Sequence, residues 1–488
     1  MIFHPRLERC ACATGRPVAA GWIVMGLLAI MQGGELLAAE GTPRSQPAAV
    51  QDAAEGRSIP APGTPWTLEL ALARAMEANP ELTAARHEVE RLEGVRLQVR
   101  AGLLPRVTAS AGVNERAEGL VDQSPGQRLL PPSAETSVAL YGYDLRIELR
   151  QVVFDGLKSW HELKRQDLLG RESFLRLRDT VVRTATLVRQ AFDAIQMRKV
   201  LVAAEERRVE EFQQLIEWTS RKHAVGELAE FELLRAQAEF YGALAERAEA
   251  RRALGESEQT FRRLLQMPGI EGRLQLEGEF VPRVFTLPLD EAVAQARIHR
   301  PDLQGAALAV EAARRNERAQ TGRYLPRIEV FGSYGNRSSY YNSAVQLEGW
   351  TIGAAGQWSL FEGGAIRGQQ ISLRAERRAA ESRLADFEYR ISSQVRELYQ
   401  GLEQSRVAME AQERSVQLSM RASRDARLLY EAGQASLEQV LQAGMTHRRA
   451  ESRFGEAVYN YNALVAEIEY AVGGQLGDSI AVPGTWKP

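Results

Sequence analysis

The sequence predicts a mixed α/β protein with an internal duplication, in which each half contributes two strands and a pair of very long helices. Three observations indicate this fold. Short motifs recur in the same order in both halves of the 488-residue chain, and such self-similarity is typical of repeat architectures. Apolar residues recur every seven positions over long stretches, which favours coiled-coil helices. Between these stretches the apolar period shortens to two, which is typical of strands.

The N-terminal segment 1–39 is predicted to be a secretory signal peptide. Its apolar core, from Trp22 to Ile30, follows a basic segment and precedes small residues that end at Ala39, which is the three-part pattern of such a peptide. A membrane anchor is the alternative, but the apolar core is shorter than the roughly 20 residues that a spanning helix needs. Cleavage near Ala39 would remove Cys10 and Cys12, the two cysteines of the chain. We therefore expect no disulfide and no zinc–thiolate site in the mature chain.

Four further segments are predicted after the signal peptide. Residues 40–65 contain five prolines among small and polar residues, which is typical of an extended linker. Residues 66–280 and 281–475 are predicted to be two structural repeats, each with a helix, two strands and a long helix pair. Residues 476–488 form a C-terminal tail.

The duplication rests on matched motifs at two constant offsets. Early motifs repeat after 221 positions, and later motifs repeat after 207 positions. The smaller second offset predicts a longer loop in the first half, between Pro105 and Phe154. The matched pairs are Pro80 with Pro301 and Pro105 with Pro326 at the first offset, then Phe154 with Phe361 and Gly226 with Gly433 at the second.

The longest helices carry apolar columns with a period of seven. The first is predicted from about Ser159 to Lys222, without an internal proline, and would be on the order of 95 Å long. Return helices are predicted at about 227–266 and 436–472. Helices of this length exceed any compact core, so we expect them to pack along one another. The column residues are Phe174, Val181, Val188, Ile195, Val202, Val209 and Ile216 in the first half, and Val395, Leu402, Met409 and Val416 in the second.

Four strands are predicted, and each has one apolar and one polar face. Charged residues such as Arg146 and Glu148 lie on the polar faces. This alternation fits a membrane barrel with lipid outside and water inside; an ordinary antiparallel sheet with one face on a core is the alternative. The apolar faces comprise Val107, Ala109, Ala111 and Val113; Tyr141, Tyr143, Leu145, Ile147 and Leu149; Ile328, Val330 and Tyr334; and Trp350, Ile352, Ala354 and Trp358.

Four strands are too few to close a barrel, since membrane barrels begin at about eight strands. Open sheet edges are not tolerated in lipid. If these strands lie in a membrane, several chains must therefore pool them. The segments 114–139 and 335–349 are expected to be the loops that join the strands of each half.

Composition and motifs argue against several classes of function. The formal net charge is −2, so no basic field points to nucleic acid. The six histidines are scattered without ligand-like spacing, and no phosphate-binding Gly-Lys loop is present. No nucleophile–base arrangement is visible. We expect a protein that is not an enzyme and that has no metal site, no cofactor and no nucleic-acid partner.

The ordered set of motifs, present twice, resembles the TolC-like outer-membrane efflux protein family. The resemblance covers about residues 66–475 and rests on the proline helix breaks, the strand boundaries, the long helices and the glycine turns described above. It implies a homotrimer whose twelve-stranded outer-membrane β-barrel, four strands per chain, continues into a long α-helical coiled-coil tunnel in the periplasm. It also implies contact with outer-membrane lipid, with a periplasmic adaptor (membrane fusion) protein and with an inner-membrane pump of the RND or ABC type.

The same resemblance identifies the two glycine turns as the periplasmic tips that adaptors bind. Glycine suits a tight turn between helices because it tolerates positive φ; a turn without a binding role is the alternative. The tip residues are Val225, Gly226, Glu227, Leu228 and Ala229 in the first half, and Ala432, Gly433, Gln434, Ala435 and Ser436 in the second.

Residues near the tips match gating positions of the family. Glu232 matches the acidic residue of the first tip helix, and Tyr430 matches its tyrosine partner. Gln439 and Gln442 stand where the best-known member carries two aspartates, and Ala435 replaces its gating arginine. The resemblance therefore implies a latch through Glu232 and Tyr430, and an entrance that lacks the acidic ring. A solvated helix face for the glutamate and a packed seam position for the tyrosine are the alternatives.

These observations predict an outer-membrane channel of a tripartite efflux or type I secretion system that conducts its substrates passively. The alternative is an exported coiled-coil scaffold or adhesin without channel activity. The sequence does not distinguish between drugs, metal ions and secreted proteins as substrates, because similar channels conduct each of them.

Overall fold

The computed structural model describes residues 65–115, 141–267, 274–338 and 346–474. These residues belong to the unit that begins at Pro62. The predicted signal peptide (1–39), residues 40–64 of the predicted linker and the predicted C-terminal tail (476–488) lie outside the described residues.

Each half of the chain contributes the same series of elements, namely two shorter helices, two strands and two long helices. This is the order that the matched motifs predict, and a short 3₁₀ turn precedes the third strand. The elements of the first half are α1 (Leu68–Ala78), α2 (Pro80–Ala101), β1 (Arg106–Glu115), β2 (Tyr141–Phe154), α3 (Lys158–Ala224) and α4 (Glu230–Leu264); those of the second are α5 (Leu289–His299), α6 (Pro301–Thr321), β3 (Arg327–Ser338), β4 (Gln346–Gln357), α7 (Ala365–Glu431) and α8 (Leu437–Ala471).

A proline separates the two shorter helices in each half. Asn79 ends α1 and caps α2, because its Oδ1 accepts a hydrogen bond from the backbone N–H of Glu81 at 2.8 Å. Pro80 then occupies the first turn of α2, where a missing amide hydrogen has no cost. In the second half Arg300 stands at the cap and Pro301 follows it.

The long helices α3 and α7 contain 67 residues each, which corresponds to about 100 Å at the α-helical rise. Near the sheet, α2 and α6 pack on α3, and α6 also packs on α7. Towards the far ends, α4 packs on α3, and α8 packs on both α7 and α3. The predicted column of the first half is confirmed as a packing seam, since Val181, Val188, Ile195, Val202 and Val209 are all buried.

The four strands form one antiparallel sheet in the order β1-β2-β3-β4. Val107 lies opposite Leu149, and Val330 lies opposite Ala354. Because side chains alternate along a strand, this register gathers the predicted apolar residues on one face. Many of them are exposed in the single chain, including Trp350 at 69% and Ile352 at 76%.

The opposite face of the sheet carries charge. Arg150 forms ion pairs with Glu148 and, at 3.7 Å, with Glu329. Phe331 also lies on this face, opposite Gly353. A Cβ added to Gly353 would stand 2.7 Å from the Phe331 ring, so the glycine makes room for the aromatic ring.

Both predicted loops are too long. The first was expected at 114–139, but β1 continues to Glu115, and residues 116–139 lie outside the described residues. The second is longer than the structure shows at both ends. It was expected at 335–349, but β3 continues to Ser338 and β4 begins at Gln346. Both extensions are paired, with Asn336 opposite Glu348. Backbone hydrogen bonding therefore continues the ladder past the point where the apolar alternation fades.

A buried ion pair fastens the extended segment between α4 and α5. The Arg283 guanidinium donates to both carboxylate oxygens of Asp193 on α3, at 3.1 and 2.8 Å. The backbone N–H of Arg283 donates to Oδ1 of Asn462 on α8 at 2.9 Å. Burial raises the pKa of Asp193 and lowers the pKa of Arg283, although each stands beside an opposite charge. The segment thus joins α3 to α8 through Arg283, at a place where removing the two charged side chains from water costs free energy.

Across the described parts of the chain, no helix combines the length and the apolar character that crossing a membrane requires. The same residues contain no group of three or more His, Cys, Asp or Glu side chains that could hold a metal ion.

Candidate functional site

The turn that joins α3 to α4 is a Schellman motif around Gly226. Gly226 has a φ of +76°. Its N–H donates to the carbonyl of His223 at 2.9 Å, and the N–H of Glu227 donates to the carbonyl of Lys222, also at 2.9 Å. These bonds satisfy carbonyl groups that a helix end otherwise leaves unpaired. Lys222 and Glu227 also form an ion pair across the turn.

The turn that joins α7 to α8 repeats this geometry. Gly433 has a φ of +75°; its N–H donates to the carbonyl of Tyr430 at 2.9 Å, and the N–H of Gln434 donates to the carbonyl of Leu429 at 2.8 Å. Of the predicted tip residues, Leu228 and Ala435 are half-buried, and the exposed ones are Val225, Gly226, Glu227, Ala229, Ala432, Gly433, Gln434 and Ser436.

Ser436 and Gln439 form a capping box at the start of α8. Ser436 Oγ accepts from the N–H of Gln439 at 3.4 Å, and Gln439 Oε1 accepts from the N–H of Ser436 at 3.0 Å. The amide of Gln439 therefore fixes the first helical turn. Gln442 lies exposed on α8, three residues further along.

Tyr430 and Glu232 meet across the two helical hairpins. The Tyr430 hydroxyl on α7 donates to Glu232 Oε2 on α4 at 2.8 Å, although 198 positions separate the two residues. The Tyr430 side chain is buried, at 5% exposure. Its ring packs on Trp218 of α3, with 5.0 Å between the ring centroids. One side chain of α7 thus contacts both α3 and α4.

The hydroxyl of Tyr430 is held in its protonated form. Burial raises its pKa, and the hydrogen bond to Glu232 and the charge of that carboxylate raise the pKa further. An ionised phenolate would face the carboxylate as a like charge. The hydroxyl is therefore a hydrogen-bond donor throughout the neutral range.

An apolar cluster supports this contact from α8. Leu437 and Leu441 are buried together with Tyr430, and half-buried Phe212, Leu215 and Val440 pack against them. Because Leu437 directly follows the N-cap residue Ser436, the cluster and the cap together determine where α8 begins.

Two segments of the chain, one in each half, match a family model for outer membrane efflux proteins. The matched residues are 71–266 and 292–474, and they include both strand pairs, α3 and α7, and both glycine turns. The chain belongs to the outer membrane efflux protein family. This confirms the resemblance that the repeated motifs indicated.

Solved outer-membrane proteins share the fold of this outer membrane efflux protein. The CmeC outer membrane channel of Campylobacter jejuni superposes with a TM-score of 0.72 and 18% sequence identity, over 83% of this chain and 85% of that chain. The outer membrane protein VceC of Vibrio cholerae gives 0.69 and 16%, over 83% and 96%. The MtrE outer membrane channel of Neisseria gonorrhoeae, solved in an open state, gives 0.66 and 18%, over 84% and 89%. Comparison with curated protein sequences finds no match.

Sequence reasoning named both residues of the Tyr430–Glu232 contact in this efflux protein but missed the residues around it. Trp218 stands two residues beyond the last member of the heptad column, so the seven-residue period gave no sign of its role. Leu437 and Leu441 carried a usable signal, because apolar residues four apart directly after a glycine turn face one side of the new helix.

Proposed function

We propose that this protein is the passive outer-membrane channel of a tripartite efflux or type I secretion system. Three copies form a barrel in the outer membrane and a helical tunnel that extends into the periplasm. An adaptor of the membrane fusion type binds the tips, and an inner-membrane pump of the RND or ABC type supplies the energy. The protein is not an enzyme, since substrate passes through without chemical change.

The exposed apolar face of the sheet is the observation that carries this proposal. Tyr143, Leu145, Ile147 and Leu149 alternate along β2 with Asp144, Arg146, Glu148 and Arg150. An exposed apolar surface of this kind marks a membrane or protein contact. A charged opposite face suits a water-filled lumen, whereas a sheet lying on a core would have no exposed apolar face.

The edges of the sheet support closure by further copies of the chain. Within the described residues, β1 pairs on one side with β2, and β4 pairs on one side with β3. Four strands in alternating directions leave β4 antiparallel to β1. The β4 edge of one copy can therefore extend the same ladder onto the β1 edge of the next. Three copies would supply twelve strands, an even number above the minimum of about eight for membrane barrels.

The long helices support a periplasmic extension. Both α3 and α7 leave the sheet after β2 and β4, and both end at the glycine turns about 100 Å further on. The tips would thus stand far from the membrane, within reach of an adaptor. The family matches at 71–266 and 292–474 also support the two repeats at 66–280 and 281–475.

Fractionation and conductance test this proposal together. We expect heat-modifiable trimers in the outer-membrane fraction, and ion conductance when purified trimers are inserted into planar bilayers. A protein found wholly soluble in the periplasm would instead support the exported scaffold or adhesin. Inserted trimers that never conduct would contradict the channel.

A further inference from the structure

A second polar contact joins the same two hairpins close to the latch. Arg235 Nη1 on α4 lies 3.8 Å from Glu438 Oε2 on α8. Arg235 follows Glu232 by three positions, so both side chains lie on one face of α4. That face therefore offers a carboxylate to α7 and a guanidinium to α8.

The backbone on both sides of this contact is fixed. Glu438 belongs to the first turn of α8, which the Ser436–Gln439 capping box determines. Its neighbour Leu437 is buried against Tyr430. The backbone of Glu438 consequently keeps its place relative to Tyr430, and its carboxylate lies within ion-pair distance of Arg235.

The signs of the charges suit a closing contact. Ala435, in the second turn, brings no charge to the interface between the hairpins. The positive charge at this point comes instead from α4, and α8 supplies the negative charge. Separating the hairpins would break this ion pair as well as the Tyr430–Glu232 hydrogen bond.

We propose that Arg235 and Glu438 form a second closing contact of the tip, which acts beside the Tyr430–Glu232 latch. This inference rests on the proposed channel function, because it assigns a part of the closing mechanism to a pair of residues. The two contacts differ in kind. Tyr430 is buried and its hydroxyl is neutral, whereas the Glu438 side chain is 73% exposed. Exposed ion pairs weaken as salt rises, since the screening length falls from about 10 Å at 0.1 M to about 3 Å at 1 M.

Charge reversal in planar bilayers tests the pair. The proteins are full-length trimers of the wild type, Arg235→Glu, Glu438→Arg and the double variant. Each single reversal places like charges together, so we expect the open probability at low salt to rise about threefold to tenfold, given that one exposed pair contributes a factor of up to about five per subunit. The double variant restores the ion pair with exchanged ends and should return to within about twofold of the wild type. Raising the salt should shrink these differences.

A matched control separates the tip contact from general effects of charge. Arg251 pairs with Glu206 at 2.5 Å, and its side chain is exposed to a similar degree to that of Arg235, 42% against 35%. This pair, however, joins α3 to α4 inside one hairpin. Arg251→Glu should leave the open probability unchanged. Equal effects of Arg251→Glu and Arg235→Glu would overturn the assignment, and so would a double variant whose effect is the sum of the two single ones.

The comparison with Tyr430→Phe distinguishes this inference from the channel proposal. If Tyr430→Phe conducts more than the wild type while the reversals do not, the second contact is overturned and the channel stands. If inserted trimers of every variant and of the wild type fail to conduct, both are overturned.

Discussion

The Tyr430 hydroxyl on α7 reaches Glu232 on α4 at 2.8 Å while the tyrosine ring packs on Trp218 of α3. This single side chain joins the α3–α4 hairpin to the α7–α8 hairpin next to the two glycine turns. Hydrogen bonds to charged groups contribute about 1.5–3 kcal/mol, and three copies of the chain would contribute three such bonds.

Removing the Tyr430 hydroxyl should open the tip without unfolding it. In Tyr430→Phe the ring still fills its place against Trp218, but the bond to Glu232 is lost. We expect the open probability in planar bilayers to rise at least about tenfold, since one such bond exceeds about 1.4 kcal/mol. Trp218→Phe serves as a control for packing and should have a smaller effect. Equal conductance of Tyr430→Phe and the wild type would contradict the latch.

From neutral pH upward, the contact between Tyr430 and Glu232 should be insensitive to pH until the tyrosine ionises. The folded protein raises the pKa of Tyr430 above its ordinary value of 10.0, so the contribution of the hydroxyl to closure is fully present below about pH 10 and is lost as pH rises through the higher value. Wild-type open probability should therefore rise in strong alkali, and Tyr430→Phe should lack this rise. A rise of the same size in both proteins would assign it to another group.

Substitutions at the tip glycines should separate the turn from the binding surface. A Cβ at Gly226 or Gly433 would meet nothing within 4 Å, so a side chain there points into open space. Asparagine tolerates positive φ, and we expect Gly226→Asn and Gly433→Asn to keep most efflux. Gly226→Trp and Gly433→Trp should abolish efflux in cells, because the bulky ring stands where the adaptor binds, while trimer insertion stays intact. Unchanged efflux in both tryptophan variants would remove the tip assignment.

Two glycines at the junction of sheet and helices approach each other too closely for a side chain. A Cβ on Gly156 would lie 2.7 Å from Gly322 Cα, whereas Gly363, the repeat counterpart of Gly156, has nothing within 4 Å of its Cβ position. Gly156 and Gly363 both have positive φ. An alanine at either position therefore costs about 1 kcal/mol for its backbone conformation. We expect Gly156→Ala to cost about 3 kcal/mol or more in total, because the clash adds to this. The dissociation temperature of the heat-modifiable trimer measures the stability of Gly156→Ala and of Gly363→Ala. Equal losses of stability in the two variants would contradict the close approach of Gly156 and Gly322.

Breaking the buried pair Asp193–Arg283 should destabilise the protein more than replacing it. Asp193→Ala leaves the half-buried guanidinium of Arg283 without its partner, and we expect a loss of about 2 kcal/mol in the free energy of unfolding. The double variant Asp193→Leu/Arg283→Met should recover most of this, since apolar replacements of buried pairs are often neutral. Denaturant unfolding measures each variant. Glu403→Ala, which removes the exposed partner of Arg406, is the control and should cost less than about 1 kcal/mol.

The sequence by itself determined the elements and their duplication. A period of seven over 174–216 predicted a helix from about Ser159 to Lys222, which the structure has at Lys158–Ala224. A period of two predicted strands with one apolar and one charged face. These features are legible because the residues that create them are neighbours along the chain. The pairing of Tyr430 with Glu232 was also anticipated, but through a family resemblance rather than through spacing.

The tertiary structure decided the contacts between elements. Trp218 beside Tyr430, Arg235 beside Glu438 and Arg283 beside Asp193 each join helices or segments that lie far apart along the chain. On the charged face of the sheet, Gly353 of β4 leaves room for the Phe331 ring of β3. Such contacts depend on how two hairpins are set against each other, and a difference of one helical turn would exchange every partner. Periodicity determines which face of a helix is buried, whereas the packing of complete hairpins determines which residue it meets there.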